Sequence, residues 1–277
     1  MNISTEELKA LKKIELEILD EFIRICDKHG LTYVLAGGTC LGAIRHNGFI
    51  PWDDDIDVSM PRADFDRFTE LAPTELNNNY VFQSLDTEPN CGLVFGKIRK
   101  KQTVLSEDYS YHLPISQGIW IDIFPYDSLP NDKKDQKHLV NKVSLLKNLY
   151  IIKCGYKMPK GKSTVERLAY YVATFLLKPI PLSYLIKILN KTMRSHQNQP
   201  SKWIYPFGGA YSLDVEKLPK EMIQNTTVVS FENRNCQTFA EYDKYLTDHY
   251  GDYMQLPPVA QRQAGVHHVH ELHLGDD

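Results

Sequence analysis

Gly37-Gly38-Thr39-Cys40-Leu41-Gly42-Ala43-Ile44-Arg45-His46-Asn47-Gly48-Phe49-Ile50-Pro51-Trp52-Asp53-Asp54-Asp55-Ile56-Asp57-Val58 is the stretch around which the rest of the chain is organised. A glycine pair follows directly on an apolar run, Leu31-Thr32-Tyr33-Val34-Leu35-Ala36. Four carboxylates within five residues then lead into a second short apolar run. Two glycines after a strand let backbone N–H groups approach a phosphate, because no Cβ stands in the way. Asp55 and Asp57 are two apart, so on an extended strand both carboxylates point to one face, about 7 Å apart at Cα. A bare pair of this kind also fits an acidic surface turn, but here Ile56 and Val58 alternate with the acids and take the buried face. Acids so placed repel each other unless a cation neutralises them. A hard divalent ion such as Mg²⁺ binds one or two carboxylates together with substrate phosphate oxygens. The stretch therefore reads as a phosphoryl-transfer site, with Gly37, Gly38 and Thr39 toward the phosphate and Asp55 and Asp57 toward a metal. Asp53 and Asp54 cap or orient the turn.

Outward from this stretch, residues 5–29 place Leu8, Leu11, Ile14, Ile18, Leu19, Phe22, Ile25 and Cys26 at helical spacing. Ser4 with Glu7 three residues later forms a capping-box pattern, and Gly30 stands just past the end. One long amphipathic helix is predicted. A strand over 31–36, the glycine turn and a short helix over about 39–46 follow; a phosphate at that helix's N-terminus would gain from exposed N–H groups and the dipole. After the aspartate strand (about 55–60), Pro61 opens a helix striped by Phe65, Phe68 and Leu71. Strand-like runs come at Tyr80-Val81-Phe82, Val94-Phe95-Gly96-Lys97-Ile98, Thr103-Val104-Leu105 and Gly118 to Phe124. The range 132–196 turns helical. Its apolar part, 163–190, is interrupted by Lys178-Pro179-Ile180-Pro181, and neither half reaches the roughly 20 residues of a membrane span. Two amphipathic helices are expected there, lying on a membrane surface or, the favoured outcome, packed on the core. A strand near Thr226–Phe231 and a helix from about Thr238 to His249 precede a tail holding His267, His268, His270 and His273. Those histidines lack a cysteine or acid at metal-ligand spacing.

The chain has 277 residues, enough to bury a substantial core, and is 42% apolar and 24% charged, as globular proteins are. Its formal charge of −3 is unevenly spread. From Lys133 to Lys202 there are fifteen Lys/Arg against Asp135 and Glu166, a local +13, which leaves −16 for the remainder. A basic module on an acidic body suits an anionic partner, a membrane surface or a phosphorylated carrier rather than nucleic acid; a solvated lysine-rich helix set is the plainer alternative. The domain reading is a core over 1–131 with the metal and nucleotide site, a basic helical insertion over 132–200, and a segment over 201–277 that completes the core. Five widely spread cysteines without a C-x-x-C pair argue for a reducing compartment, and the first residues show no secretion signal, so a cytoplasmic protein is expected.

Asp122 is the third candidate acid. It lies in the β-rich run Trp120-Ile121-Asp122-Ile123-Phe124, where a charge is costly unless paired or metal-bound. On a neighbouring strand it would complete a metal triad and could take the proton of an attacking hydroxyl. Arg45 and His46 are cations near these elements; Lys97 and Arg99, two apart on a strand, share a face suited to a diphosphate or to ordinary ion pairing. Trp52, Trp120, Tyr109 and Tyr111 offer faces for a quaternary ammonium, with core packing as the alternative for each.

These residues resemble the LicD family, the bacterial phosphocholine transferases related to fukutin. The similarity rests on Gly37-Gly38-Thr39 through His46, Gly48 through Asp57, Gly96-Lys97-Ile98, Ile121-Asp122-Ile123-Phe124-Pro125 and, near the end, Tyr242-Asp243-Lys244-Tyr245-Leu246, Tyr250-Gly251-Asp252-Tyr253-Met254 and Leu256-Pro257-Pro258. Cys40 stands where a bulkier aliphatic residue is usual, and 132–200 shows no matching motif. The resemblance implies an α/β (α+β) fold with a nucleotidyltransferase-like mixed sheet core, helices around it and the basic helical module beside it. It implies Asp55, Asp57 and Asp122 as catalytic, metal-binding carboxylates for Mg²⁺ or Mn²⁺, with Gly37, Gly38, Thr39, Arg45, His46, Lys97 and Arg99 toward the substrate. The implied reaction moves phosphocholine from CDP-choline to a sugar hydroxyl of a teichoic-acid or lipopolysaccharide precursor and releases CMP. A lipid-linked glycan precursor at the inner membrane face would give the basic module its partner. The rivals are a metal-dependent glycosyltransferase, transfer of another CDP-linked polyol phosphate, and a catalytically silent nucleotide-binding protein.

Overall fold

The computed structural model describes residues 3–158, 161–259, 262 and 269–275. Helix α1 (Thr5–His29) opens with the capping box: Ser4 Oγ accepts from the Glu7 N–H, and the Glu7 side chain accepts from the Ser4 N–H. Its apolar stripe is buried. Strand β1 (Val34–Leu35) is shorter than the predicted 31–36. Helix α2 (Gly37–His46) starts two residues before the predicted 39, so the glycines form its first turn instead of a turn ahead of it. Asn47, in the left-handed region, closes it. Strand β2 is Asp57–Pro61, and α3 is Arg62–Glu75 with Pro61 as its N-cap. Strands β3 (Tyr80–Gln83), β4 (Gly96–Lys100), β5 (Val104–Glu107) and β6 (Trp120–Leu129) follow.

Next come α4 (Lys133–Cys154), α5 (Thr164–Leu177) and α6 (Leu182–Met193). The chain then forms β7 (Trp203–Tyr205), α7 (Leu213–Glu216), β8 (Leu218–Pro219), α8 (Lys220–Gln224), β9 (Thr226–Phe231), β10 (Arg234–Phe239), α9 (Tyr242–Tyr250) and β11 (Val269–His273). Among the described residues one mixed sheet runs β1-β2-β6-β4-β3, with β7 on the far part of β6 and β8 beyond it. Strands β2 and β6 are parallel and the other pairs antiparallel. The architecture is therefore mixed α/β.

The main core lies between this sheet and α1, α2 and α3, around Phe22, Phe68, Val58, Ile98 and Ile121. A second core joins α4 and α6 to β7 through Val143, Tyr150, Leu189, Met193 and Tyr205. Helix α6 packs as expected, but α5 does not. Val165, Leu168, Tyr171, Val172, Phe175 and Leu176 recur along one side of α5 and all stay exposed, Phe175 at 68%. The periodicity marked an amphipathic helix correctly; it could not say whether protein covers the apolar side. The hairpin β9–β10 braces the loop between α2 and β2, since Glu232 N–H donates to Asn47 O at 3.0 Å and Phe49 N–H to Glu232 Oε1 at 3.2 Å. All five cysteines are free thiols.

Candidate active site

Three adjacent strands put three functional groups in one row. In the parallel β2–β6 pair Asp57 stands opposite Asp122, and in the antiparallel β4–β6 pair Lys97 stands opposite Asp122. Lys97 Nζ is 2.8 Å from Asp122 Oδ1, with both side chains buried. The Asp122 N–H donates to Ile56 O at 2.9 Å, which draws the residue between Asp55 and Asp57 onto the same ladder. Asp57 N–H donates to Thr39 Oγ1 at 2.8 Å, and Ala36 N–H to Asp57 O at 3.0 Å, so the start of α2 clamps this strand end. Burial holds the Asp57 carboxyl well above the usual range, and Asp55, Asp122 and Asp53 push the same way while Lys97 opposes them. Asp53, Asp54 and Asp55 form a second group: one carboxylate oxygen from each lies within 4.8 Å of the others. Asp55 links this group to the row, since its charge helps to raise the Asp57 carboxyl. Crowded oxygen donors of one sign are the donor set that a hard divalent cation satisfies; the tight group is Asp53, Asp54 and Asp55, with Asp57 and Asp122 facing each other across the β2–β6 pair beside it.

The glycines are shaped for close approach. Gly37 has φ +52°, and a Cβ there would lie 3.1 Å from Asp57 Oδ2; on Gly38 it would lie 2.7 Å from Asp53 Oδ2. An alanine at either place would push the acids away. The Gly37 N–H donates to the Tyr245 hydroxyl at 2.9 Å, so α9 reaches the first turn of α2. Thr39 is buried and holds Asp57 as described, which makes it a positioning residue.

The remaining cations are engaged by protein. Arg45 donates from Nε to His46 Nε2 at 3.0 Å and from Nη1 to Tyr253 O at 2.6 Å, and so pins the segment after α9. His46 is pushed below its ordinary pKa by burial and by Arg45, and its ring meets Trp52 edge-on at 6.3 Å. Arg99 is buried, donating to Gln83 Oε1 at 2.6 Å and Gly118 O at 2.7 Å. The Trp120 ring lies between Lys97 at 3.9 Å and Arg99 at 4.7 Å. Tyr111 stacks on His270 at 3.7 Å and carries Lys157 at 4.0 Å, and Tyr109 stacks on Tyr156 at 5.9 Å. Trp120, Tyr109, Tyr111 and Trp52 thus already face protein partners. His270 and His273 belong to β11, paired with β5, while His267 and His268 lie outside the described residues.

Two acids escaped the sequence reading. Glu15 sits on the buried stripe of α1, 1% exposed, and its Oε2 has no hydrogen-bond partner among the described residues. Burial, then Asp55 and Asp54, raise its carboxyl well above the ordinary range. A glutamate flanked by Ile14 and Ile18 on an apolar face was the available signal. Glu216, on α7, lines a pocket together with Asp57, Gly37 and several aromatic rings. No local pattern marks it.

Residues 30–148, which include the glycine turn, the acids, Lys97 and Asp122, match the family model described as LicD/FKTN/FKRP, nucleotidyltransferase domain. The lipopolysaccharide cholinephosphotransferase LicD of Haemophilus influenzae is 30% identical over 269 residues, covering 96% of this chain and 98% of its own length. The chain belongs to the LicD family. Shorter similarities link the chain to two uncharacterized rickettsial proteins, from Rickettsia typhi (36% over 67 residues, 24% of this chain and 21% of that one) and Rickettsia prowazekii (32% over 57 residues, 21% of each).

Proposed function

We propose that this LicD-family chain is a phosphocholine transferase that moves phosphocholine from CDP-choline to a sugar hydroxyl of a lipopolysaccharide or teichoic-acid precursor and releases CMP. The row Asp57–Asp122–Lys97 beside the Gly37-Gly38 turn is the observation that supports it, read with near full-length similarity to a cholinephosphotransferase. Asp55, Asp57 and Asp122 would hold Mg²⁺ or Mn²⁺, which supplies charge neutralisation for the donor diphosphate. The chain's own groups do the rest. The sugar hydroxyl oxygen attacks the phosphorus that carries choline, the bond to the bridging oxygen breaks, and CMP leaves with that oxygen. Asp122 accepts the hydroxyl proton, and the Lys97 ammonium at 2.8 Å orients that carboxylate. Gly37 and Gly38 admit the diphosphate close to the backbone, and Thr39 fixes Asp57.

The exposed apolar side of α5, within a module of net +13, supports peripheral contact with the anionic inner membrane face where a lipid-linked acceptor would be met. No single helix is long and apolar enough to cross a membrane among the described residues.

CMP release followed by mass spectrometry tests the reading, with CDP-choline, CDP-ribitol and CDP-glycerol offered in parallel alongside glycan acceptors. Release that depends on both CDP-choline and acceptor is the expected result. Preference for CDP-ribitol or CDP-glycerol would assign a polyol phosphate instead, and binding without release from any donor would assign a silent nucleotide-binding protein.

A further inference from the structure

Beside the carboxylate row lies a pocket of about 100 Å³ whose lining includes Gly37 and Asp57 on one side and Phe124, Tyr126, Tyr211 and Tyr245 around it. Five segments distant in sequence build it: the α2 start, β2, β6, α7 with the loop before it, and α9. Tyr126 and Tyr245 are buried, whereas Tyr211 is 48% exposed and forms a wall open to solvent. Tyr211 stands edge-on to His249 at 6.1 Å and to Tyr250 at 6.4 Å, and Tyr245 packs on His249 at 4.2 Å. The rings therefore brace one another.

The charge in this aromatic setting is Glu216, 6% exposed. Its Oε1 accepts from the Tyr211 N–H at 3.1 Å, while Oε2 is buried without a well-formed hydrogen bond. The Ala210 N–H and the Tyr205 hydroxyl lie close enough to weigh on the acid. The nearest ammonium that acts on it, Lys147, donates to Phe207 O at 3.2 Å and does not close an ion pair with it. A Cβ on Gly209 would run into the carboxylate, so the loop is fitted around this acid. A buried carboxylate with an unused oxygen is unfavourable unless a cation meets it. Aromatic faces around that position select a cation that carries methyl groups and few N–H donors, since such a cation is attracted by the rings and needs no hydrogen bonds. A phosphate or a second carboxylate would be repelled by Glu216 and Asp57.

We propose that this pocket holds the trimethylammonium group of the phosphocholine being transferred, with Tyr126, Tyr211 and Tyr245 as aromatic walls and Glu216 as counter-charge. The inference rests on the phosphocholine reading above and deepens it. It places the ammonium among the aromatic rings and the phosphate at the pocket's Gly37 edge, so the two ends of the group are gripped by different elements. The pocket, not Trp52, Trp120, Tyr109 or Tyr111, then distinguishes choline from polyol and amine donors.

The test is calorimetric titration of the full chain with phosphocholine, phosphoethanolamine and CMP, in wild type, Tyr211→Ala, Tyr211→Phe and Glu216→Gln. Phosphocholine should bind more tightly than phosphoethanolamine, and Tyr211→Ala and Glu216→Gln should each weaken it roughly tenfold. Tyr211→Phe should keep the affinity, and CMP binding should stay unchanged throughout. Circular dichroism confirms that each variant is folded; Tyr211 is half exposed and glutamine matches the shape of Glu216, so folded protein is expected. Unchanged phosphocholine affinity in both loss variants overturns the proposal, as does a loss confined to CMP, or wild type that binds no phosphocholine. The transferase reading fails separately: phosphocholine that titrates into the pocket without any CMP release from CDP-choline would sink that reading and leave the pocket assignment standing.

Discussion

At the scale of single residues, the site is a problem of like charges held close by backbone. Asp57 is lifted by burial and by three neighbouring acids, and one lysine opposes them. Asp55→Asn and Asp57→Asn should each lower turnover by at least about 10²-fold, because electrostatic complementarity to the diphosphate is lost, while the far-ultraviolet spectrum stays native. Near-normal turnover in either variant would refute the assignment. Lys97→Met leaves Asp122 buried without its partner and should cost about 3–5 kcal/mol in urea melts. Glu216 gives a pH signature with a definite sign. Burial pushes its carboxyl from 4.5 up to about 7, against the nearby Lys147 and the Tyr205 hydroxyl. The unfolded chain ionises first, so stability is highest below 4.5, falls as pH rises from there to about 7, and then levels off. Glu216→Gln should flatten a slope worth up to about 3 kcal/mol, seen as converging urea midpoints at pH 5 and pH 8. The alternation of Asp55 and Asp57 with apolar residues was readable without coordinates, since it is local. Glu15 was not, because only the fold turns a charge on an apolar helix face toward other acids. Arg45 and Arg99 also bind carbonyls and an amide whose positions no local pattern reveals.

Whole elements were legible wherever their signals were local. The Ser4–Glu7 capping box and Gly30 bound α1 where expected, and the β-rich run around Asp122 became β6. The start of α2 was misplaced because glycine is a poor helix former; here the approach of Asp57 and Asp53 requires glycine inside the first turn. Strand β6 runs on to Leu129, past the expected end, because its second half pairs with β7, seventy-odd residues later in the sequence. One buried clamp holds β2, α3 and β6 together below the site. Arg62 donates from Nε to Asp127 Oδ1 at 2.7 Å and from Nη2 to Oδ2 at 2.6 Å, with both residues buried. Asp127→Asn should destabilise by about 3–5 kcal/mol, since it strands a buried guanidinium, whereas Arg62→Met with Asp127→Leu should recover most of the loss. Thermal melts of wild type and the two variants check this. A double variant as unstable as the single one would show that packing, not the uncompensated charge, sets the cost.

Taken whole, the molecule joins an acidic body to a basic helical set, and α5 presents its apolar side outward from that set. Phe175→Asp with Leu176→Asp, both well exposed, should leave the fold intact and reduce flotation with vesicles containing anionic phosphatidylglycerol, by roughly tenfold or more. Charge reversal of several lysines between Lys133 and Lys162 should act in the same direction and make the residual binding less salt-sensitive. Unaltered flotation in both sets would remove the membrane contact, and self-association of wild type abolished by the aspartates would assign α5 to a second copy. The proposed transfer depends on a divalent cation that Asp55, Asp57 and Asp122 would hold. Titration of Mn²⁺ followed by electron paramagnetic resonance measures that directly: wild type should bind Mn²⁺ in competition with Mg²⁺, and Asp57→Asn and Asp122→Asn should each weaken binding by at least about tenfold. Mn²⁺ affinity unchanged in both variants, or no binding by wild type in the presence of CDP-choline, would contradict it.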